Sequence, residues 1–148
     1  MYSLNQINDA LKTTSENISQ VKKYLGLMDD WEVNAEHSKQ YLLVSASIEP
    51  SVLNYSGTSI DYVIQLTVVD RVKHGNSNNV EVLSDTAMIY NDIVAKLKKD
   101  YRNEFILSGD VQIEPLINIT DDKVSGWTGT ITIRVVNDSN TCAIPIKQ

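Results

Sequence analysis

Apolar or near-apolar side chains stand at Leu4, Ile7, Leu11, Thr14, Ile18, Val21 and Leu25, in alternating steps of three and four residues with polar positions between them. That period predicts an amphipathic helix over residues 4–25 with one narrow stripe. Ser3 is the expected N-cap, Lys22 and Lys23 suit the negative end of the helix dipole, and Gly26 stands where a left-handed C-cap belongs. Residues 28–40 follow neither period, carry Asp29, Asp30, Glu32 and Glu36, and read as a connection.

The period then changes to two. Residues 41–48 begin continuously apolar and then alternate, which predicts a strand closed by Glu49 and Pro50. From residue 60 to 72, Ile60, Tyr62, Ile64, Leu66 and Val68 define one face, against Asp61, Val63, Gln65, Thr67 and Val69 on the other. A loop is expected from Asp70 to Asn79, where apolar character gives way to Gly and Asn. Beyond it, Ser84, Asp85 and Thr86 offer a cap, and Ala87, Tyr90, Ile93, Val94, Leu97 and Tyr101 return to the helical period, so a second helix is predicted over residues 85–101. Residues 111–119 read as a strand that Pro115 confines to an edge or a bulge. Residues 126–136 alternate Trp127, Gly129, Ile131, Ile133 and Val135 with Thr128, Thr130, Thr132, Arg134 and Val136, a strand with one polar face.

The order α-β-β-α-β-β, with connections short enough for antiparallel pairing, predicts an α+β fold: a four-stranded antiparallel sheet flanked by two helices. No internal Pro- or Gly-rich linker divides the chain, so residues 1–148 are expected to form a single domain, with 137–148 as a tail packing on it.

Composition narrows the chemistry. The 148 residues carry 13 Lys and Arg against 19 Asp and Glu, a formal charge of −6, which argues against sequence-independent binding to duplex nucleic acid. Neither a secretion signal nor a membrane-length apolar run is legible, so synthesis in the cytoplasm is expected. The four Asn-x-Ser/Thr triplets, at Asn17, Asn54, Asn118 and Asn137, read as by-products of a chain in which Asn, Ser and Thr are abundant. His37 and His74 stand in no metal-ligand spacing, and Cys142 is a single thiol beside Ala143 and Ile144. Asp29 with Asp30, and Asp121 with Asp122, are adjacent pairs that point to opposite sides of an extended chain. Lys96, Lys98, Lys99 and Arg102 complement a helix C-terminus. No phosphate-cradling glycine motif occurs. The expectation is therefore no catalytic residue, no cofactor and no metal, and a binding or structural role.

A further set of residues carries a resemblance. Val82-Leu83-Ser84-Asp85-Thr86 leading into Ile89, Asp92-Ile93 and Leu97, then Glu114-Pro115, Asp121-Asp122, Val124, Gly126-Trp127 and Cys142-Ala143-Ile144-Pro145, resembles the tail terminator or tail completion proteins of tailed bacteriophages. It covers roughly the second half of the chain, from Ile60 to Pro145, and its motifs are short.

The resemblance implies a four-stranded antiparallel sheet with flanking helices, assembled into a homo-oligomeric ring at the junction of head and tail. The ring would be a hexamer or alternatively a dodecamer, would meet connector or portal-side and tail proteins, and would let DNA pass without gripping it. The protein would then reside in the virion, in its neck or tail. A connector or ring adaptor of a short-tailed phage is the neighbouring alternative; a small metal-dependent hydrolase using Asp121 or Asp122 is the alternative from another class, and a monomeric nucleic-acid adaptor is a third. On this reading the loop containing Arg71, Lys73, His74, Asn76, Asn78 and Asn79 contacts a neighbour. Trp127 is a core residue first and an interface anchor second.

Overall fold

The computed structural model describes residues 2–27, 41–54, 58–72, 78–119 and 123–136. Eight elements follow in the order α1 (Leu4–Glu16), β1 (Lys23–Leu25), β2 (Leu43–Leu53), β3 (Ser59–Arg71), α2 (Asn79–Asp100), β4 (Ile106–Leu107), β5 (Ile113–Ile119) and β6 (Val124–Val136). The expected four-stranded antiparallel sheet in the order α-β-β-α-β-β is incorrect: among the described residues two helices accompany six strands in one mixed sheet, curled into a half-barrel. The sheet order is β1-β2-β3-β6-β4, and β5 pairs with β6 on the same side as β4. β1 runs parallel to β2, and every other pairing is antiparallel.

The first helix ends nine residues before its predicted end because its stripe outlasts its helix formers. Thr13, Thr14, Ser15, Asn17 and Ser19 are weak helix residues whose side chains compete for backbone partners. The chain turns at residues 17–20 and re-emerges as β1, where the Lys22 and Lys23 N–H groups donate to the Leu42 carbonyl at 2.9 and 3.3 Å. Val21 and Leu25 therefore stay buried, but as parts of an extended segment. The N-terminus is as expected. Ser3 caps the helix, its Oγ accepting from the Gln6 N–H at 3.2 Å while the Gln6 Oε1 accepts from the Ser3 N–H at 2.8 Å, a reciprocal capping box.

α2 begins at Asn79, six residues ahead of the predicted start, because Val82 and Thr86 complete its buried stripe with Ile89, Ile93 and Leu97. Thr86 is an interior residue, not a cap: its hydroxyl donates to the Val82 carbonyl at 2.6 Å. β2 runs through Pro50 to Leu53, and the register slips between Glu49 and Val52, so the proline occupies a bulge. β5 is an edge strand as predicted, with Pro115 opposite Trp127 and a second irregularity between Leu116 and Ile119. The tail at 137–148 lies outside the described residues.

One face of the sheet holds the main core. Val44, Ala46, Ile64, Leu66, Val68, Ile131, Ile133 and Val135 pack there against Ile7, Ala10 and Leu11 of α1 and Ile89, Tyr90, Ile93 and Leu97 of α2. Each fully buried Leu or Ile in this set contributes about 1.5–3 kcal/mol relative to an exposed one. Asn8 on α1 accepts a 2.9 Å hydrogen bond from the Tyr24 hydroxyl, which fastens the helix to β1. On the reverse face Leu25, Leu43, Val69 and Val124 form a smaller cluster, with Tyr41, Leu116 and Ile119 against it.

Candidate interaction surfaces and the acidic cleft

The alternation that builds the core leaves polar groups on the reverse face of β2, β3 and β6. Ser47 Oγ lies 3.5 Å from Gln65 Oε1, the Gln65 amide donates to Thr128 Oγ1 at 3.1 Å, and Thr128 Oγ1 sits 2.9 Å from Thr67 Oγ1. These side chains use part of their hydrogen-bonding capacity on one another, which fixes their rotamers across three strands. Beside them, Gln65, Asp110, Gln112, Glu114, Thr128 and Thr130 line a shallow polar hollow of about 370 Å³.

Farther along the same face, four residues stand directly opposite one another on four strands: Val52, Asp61, Arg134 and Ile106. Arg134 grips Asp61 with two hydrogen bonds, Nε to Oδ1 at 2.8 Å and Nη2 to Oδ2 at 3.0 Å. The guanidinium holds the Asp61 carboxyl below its ordinary range, first through the hydrogen bonds and then through its charge. Val52, Ile106 and the neighbouring Val136 are 54%, 52% and 52% exposed, so the ion pair sits in an apolar frame.

Among the described residues the sheet also has two open edges. β1 covers only Leu43, Val44 and Ser45 of β2, and among the described residues nothing pairs with the outer side of residues 46–53. Across the sheet, β4 and β5 pair only with β6 among the described residues. Apolar side chains mark both edges: Leu53 is 74% exposed on β2, and Ile117 is 54% exposed on β5.

Where α2 passes the entry to β2, a cleft of about 470 Å³ opens between Gln20, Lys22, Tyr41, Leu42, Asp70, Asp85, Met88, Ile89 and Asp92. Burial pushes the Asp70 carboxyl up, the nearby Asp85 charge adds to this, and the hydrogen bond from the Arg71 N–H at 2.8 Å opposes it. Asp70, Asp85 and Asp92 outnumber the single cation Lys22 among these lining residues, which favours a cationic group. Among the described residues no three His, Cys, Asp or Glu side chains gather closely enough to hold a metal ion.

The residues expected to form an interface loop are divided among different elements. Arg71 closes β3, with its guanidinium carbon 5.2 Å from the centre of the Tyr41 ring. Asn78 is the N-cap position of α2, and Asn79 is its first residue, accepting from Ser125 Oγ at 3.1 Å. Both ends of the expected loop are thus structural, whereas Lys73, His74 and Asn76 lie outside the described residues. Trp127 is half-buried against the main core, and its Nε1–H donates to the Leu83 carbonyl at 2.7 Å, tying β6 to α2. His37, Cys142 and the pairs Asp29–Asp30 and Asp121–Asp122 lie outside the described residues. Neither the Asp61–Arg134 row nor the Asp70 cleft is legible in the sequence, because the row depends on register between separate strands and the cleft on how α2 packs beside β2 and β3.

No family model and no curated protein matches the chain. Among the described residues no helix is long and apolar enough to cross a membrane.

Proposed function

We propose that this chain is a structural protein of a tailed-bacteriophage virion, assembling as a closed homo-oligomeric ring at the junction of head and tail. The observation that carries the reading is the pair of open edges on opposite sides of one sheet, each with an exposed apolar side chain, Leu53 or Ile117. Two different edges brought together make a heterologous contact, which generates a ring when the rotation closes. Exposed strand edges otherwise invite open-ended association, and a dedicated partner for each edge is one way to satisfy them. A hexamer is the expected stoichiometry, and the resemblance of residues 82–97, 114–127 and 142–145 to tail terminator proteins gives the ring its place.

The charge of −6 per protomer suits a channel that DNA traverses, since carboxylates repel phosphates and a ring multiplies that field. Connector and tail proteins are the neighbours this placement requires. Electron micrographs of the purified full chain test the reading: annular particles of uniform diameter support it, and filaments or dispersed monomers contradict it.

A further inference from the structure

We infer that the row Val52–Asp61–Arg134–Ile106 is a self-complementary contact through which a second copy of this chain docks, face to face, about a two-fold axis. The register places these residues side by side on β2, β3, β6 and β4, with their side chains on the face opposite the main core. Consider a two-fold axis lying along the strands between β3 and β6. It sets Asp61 against Arg134 of the second copy and Arg134 against Asp61 of the second copy. The same operation sets Val52 against Ile106 of the second copy, apolar on apolar, at both flanks.

The charges retain capacity for this. Within the protomer Arg134 uses two N–H donors, from Nε and Nη2, and each Asp61 oxygen accepts one bond. A guanidinium has about five donors and a carboxylate about four acceptor sites, so Arg134, whose side chain is 44% exposed, has donors to spare for a second copy, and Asp61, 15% exposed, meets it through the part of its carboxylate left uncovered. The bidentate pair also holds Arg134 in one orientation before docking, which lowers the ordering cost of the contact. An arginine at the centre of an apolar frame is the composition found where a few residues dominate binding. Val136, two residues from Arg134 on the same strand and half exposed, extends that frame. This contact uses the face of the sheet and is independent of the edge-to-edge ring: it pairs two protomers, or two rings, in register.

Charge exchange tests it. Sedimentation velocity is run on the full-length chain, on Asp61→Arg, on Arg134→Asp and on an equal mixture of the two variants, with circular dichroism verifying each fold. Each variant alone presents like charges across the axis, and its face-to-face association should weaken about tenfold or more. In the mixture every Asp meets an Arg again, and pairing should return. Raising the salt should weaken the pairing of both the wild type and the mixture. If either variant fails to fold, Asp61→Asn and Arg134→Gln replace them, with weakened pairing expected from each. A wild type that stays monomeric, variants that pair as the wild type does, or a mixture that does not recover each overturns the inference. Single annular particles formed by the non-pairing variants would support it, since the contact pairs rings without building them; paired rings formed by those variants would overturn it.

Discussion

The Tyr90 hydroxyl on α2 donates a 3.1 Å hydrogen bond to the backbone carbonyl of Leu66 on β3. Leu66 stands opposite Gly129 on β6, and a Cβ built on Gly129 would lie 2.9 Å from that hydroxyl and 2.7 Å from the Gln112 carbonyl oxygen. The missing side chain thus leaves the opening through which a helix tyrosine reaches the sheet backbone. The two halves of the chain are locked together there: α2 and β5 come from one side of the opening, β3 from the other.

Gly129→Ala should therefore destabilise the fold by about 1–3 kcal/mol, because the added methyl meets backbone at Gln112 as well as the tyrosine. Chemical denaturation at neutral pH checks this. A variant as stable as the wild type would show that the close approach is relieved without strain.

Tyr90→Phe should cost about 0.5–1.5 kcal/mol at neutral pH through the lost hydrogen bond. Burial pushes the Tyr90 hydroxyl well above the ordinary tyrosine value of about 10, so the folded state keeps its proton after the unfolded state has released it. That contribution is complete below pH about 10 and is lost as the pH rises above it. The alkaline fall in stability, followed by denaturation from neutral pH upward, should accordingly be shallower for the phenylalanine variant.

The sequence pattern carried the core and lost the boundaries. The alternation of Ile60 through Val68 and of Trp127 through Val135 placed the right side chains on the core face, because the long strands hold their period over many residues. β1 went unseen because three residues cannot show a period, and Val21 and Leu25 fell by coincidence on the helical stripe of α1. The start of α2 was missed because Val80, Glu81, Val82 and Leu83 carry two β-branched residues, whose weak helix propensity yields to the burial of Val82. The tryptophan was legible as a core residue, whereas the ion-paired row was not, since Asp61 and Arg134 are 73 residues apart and meet only through register.

Trp127→Phe keeps an aromatic ring in place but removes the donor to the Leu83 carbonyl. A loss of about 0.5–1.5 kcal/mol is expected, with native association unchanged. A parallel measurement of stability and of assembled mass separates this structural role from an interface role; loss of assembly in a stably folded variant would show that Trp127 is an interface anchor.

Asp70→Asn should raise thermal stability at neutral pH. The native carboxylate is desolvated beside Asp85, so its pKa is raised on folding and the folded state disfavours the charge. The penalty is absent at low pH, where both states are protonated, and develops as the pH rises from the unfolded value through the raised one. The gain from asparagine should follow the same course, largest at neutral pH and vanishing in acid. Melting temperatures compared from acid to neutral pH check it, and a gain independent of pH would rule out the desolvated charge as its source.

Native mass spectrometry shows whether the two open edges of the sheet meet between protomers to close a ring. The wild-type chain should give one discrete assembly, six copies of the 16.6 kDa protomer for a single ring or twelve where two rings pair face to face. Leu53→Lys and Ile117→Lys, which place a charge on either edge without touching the core, should each break the ring down to folded monomers or face-to-face pairs. A wild type found only as monomer, or an assembly that survives both lysine substitutions, would show that the edges do not close a ring.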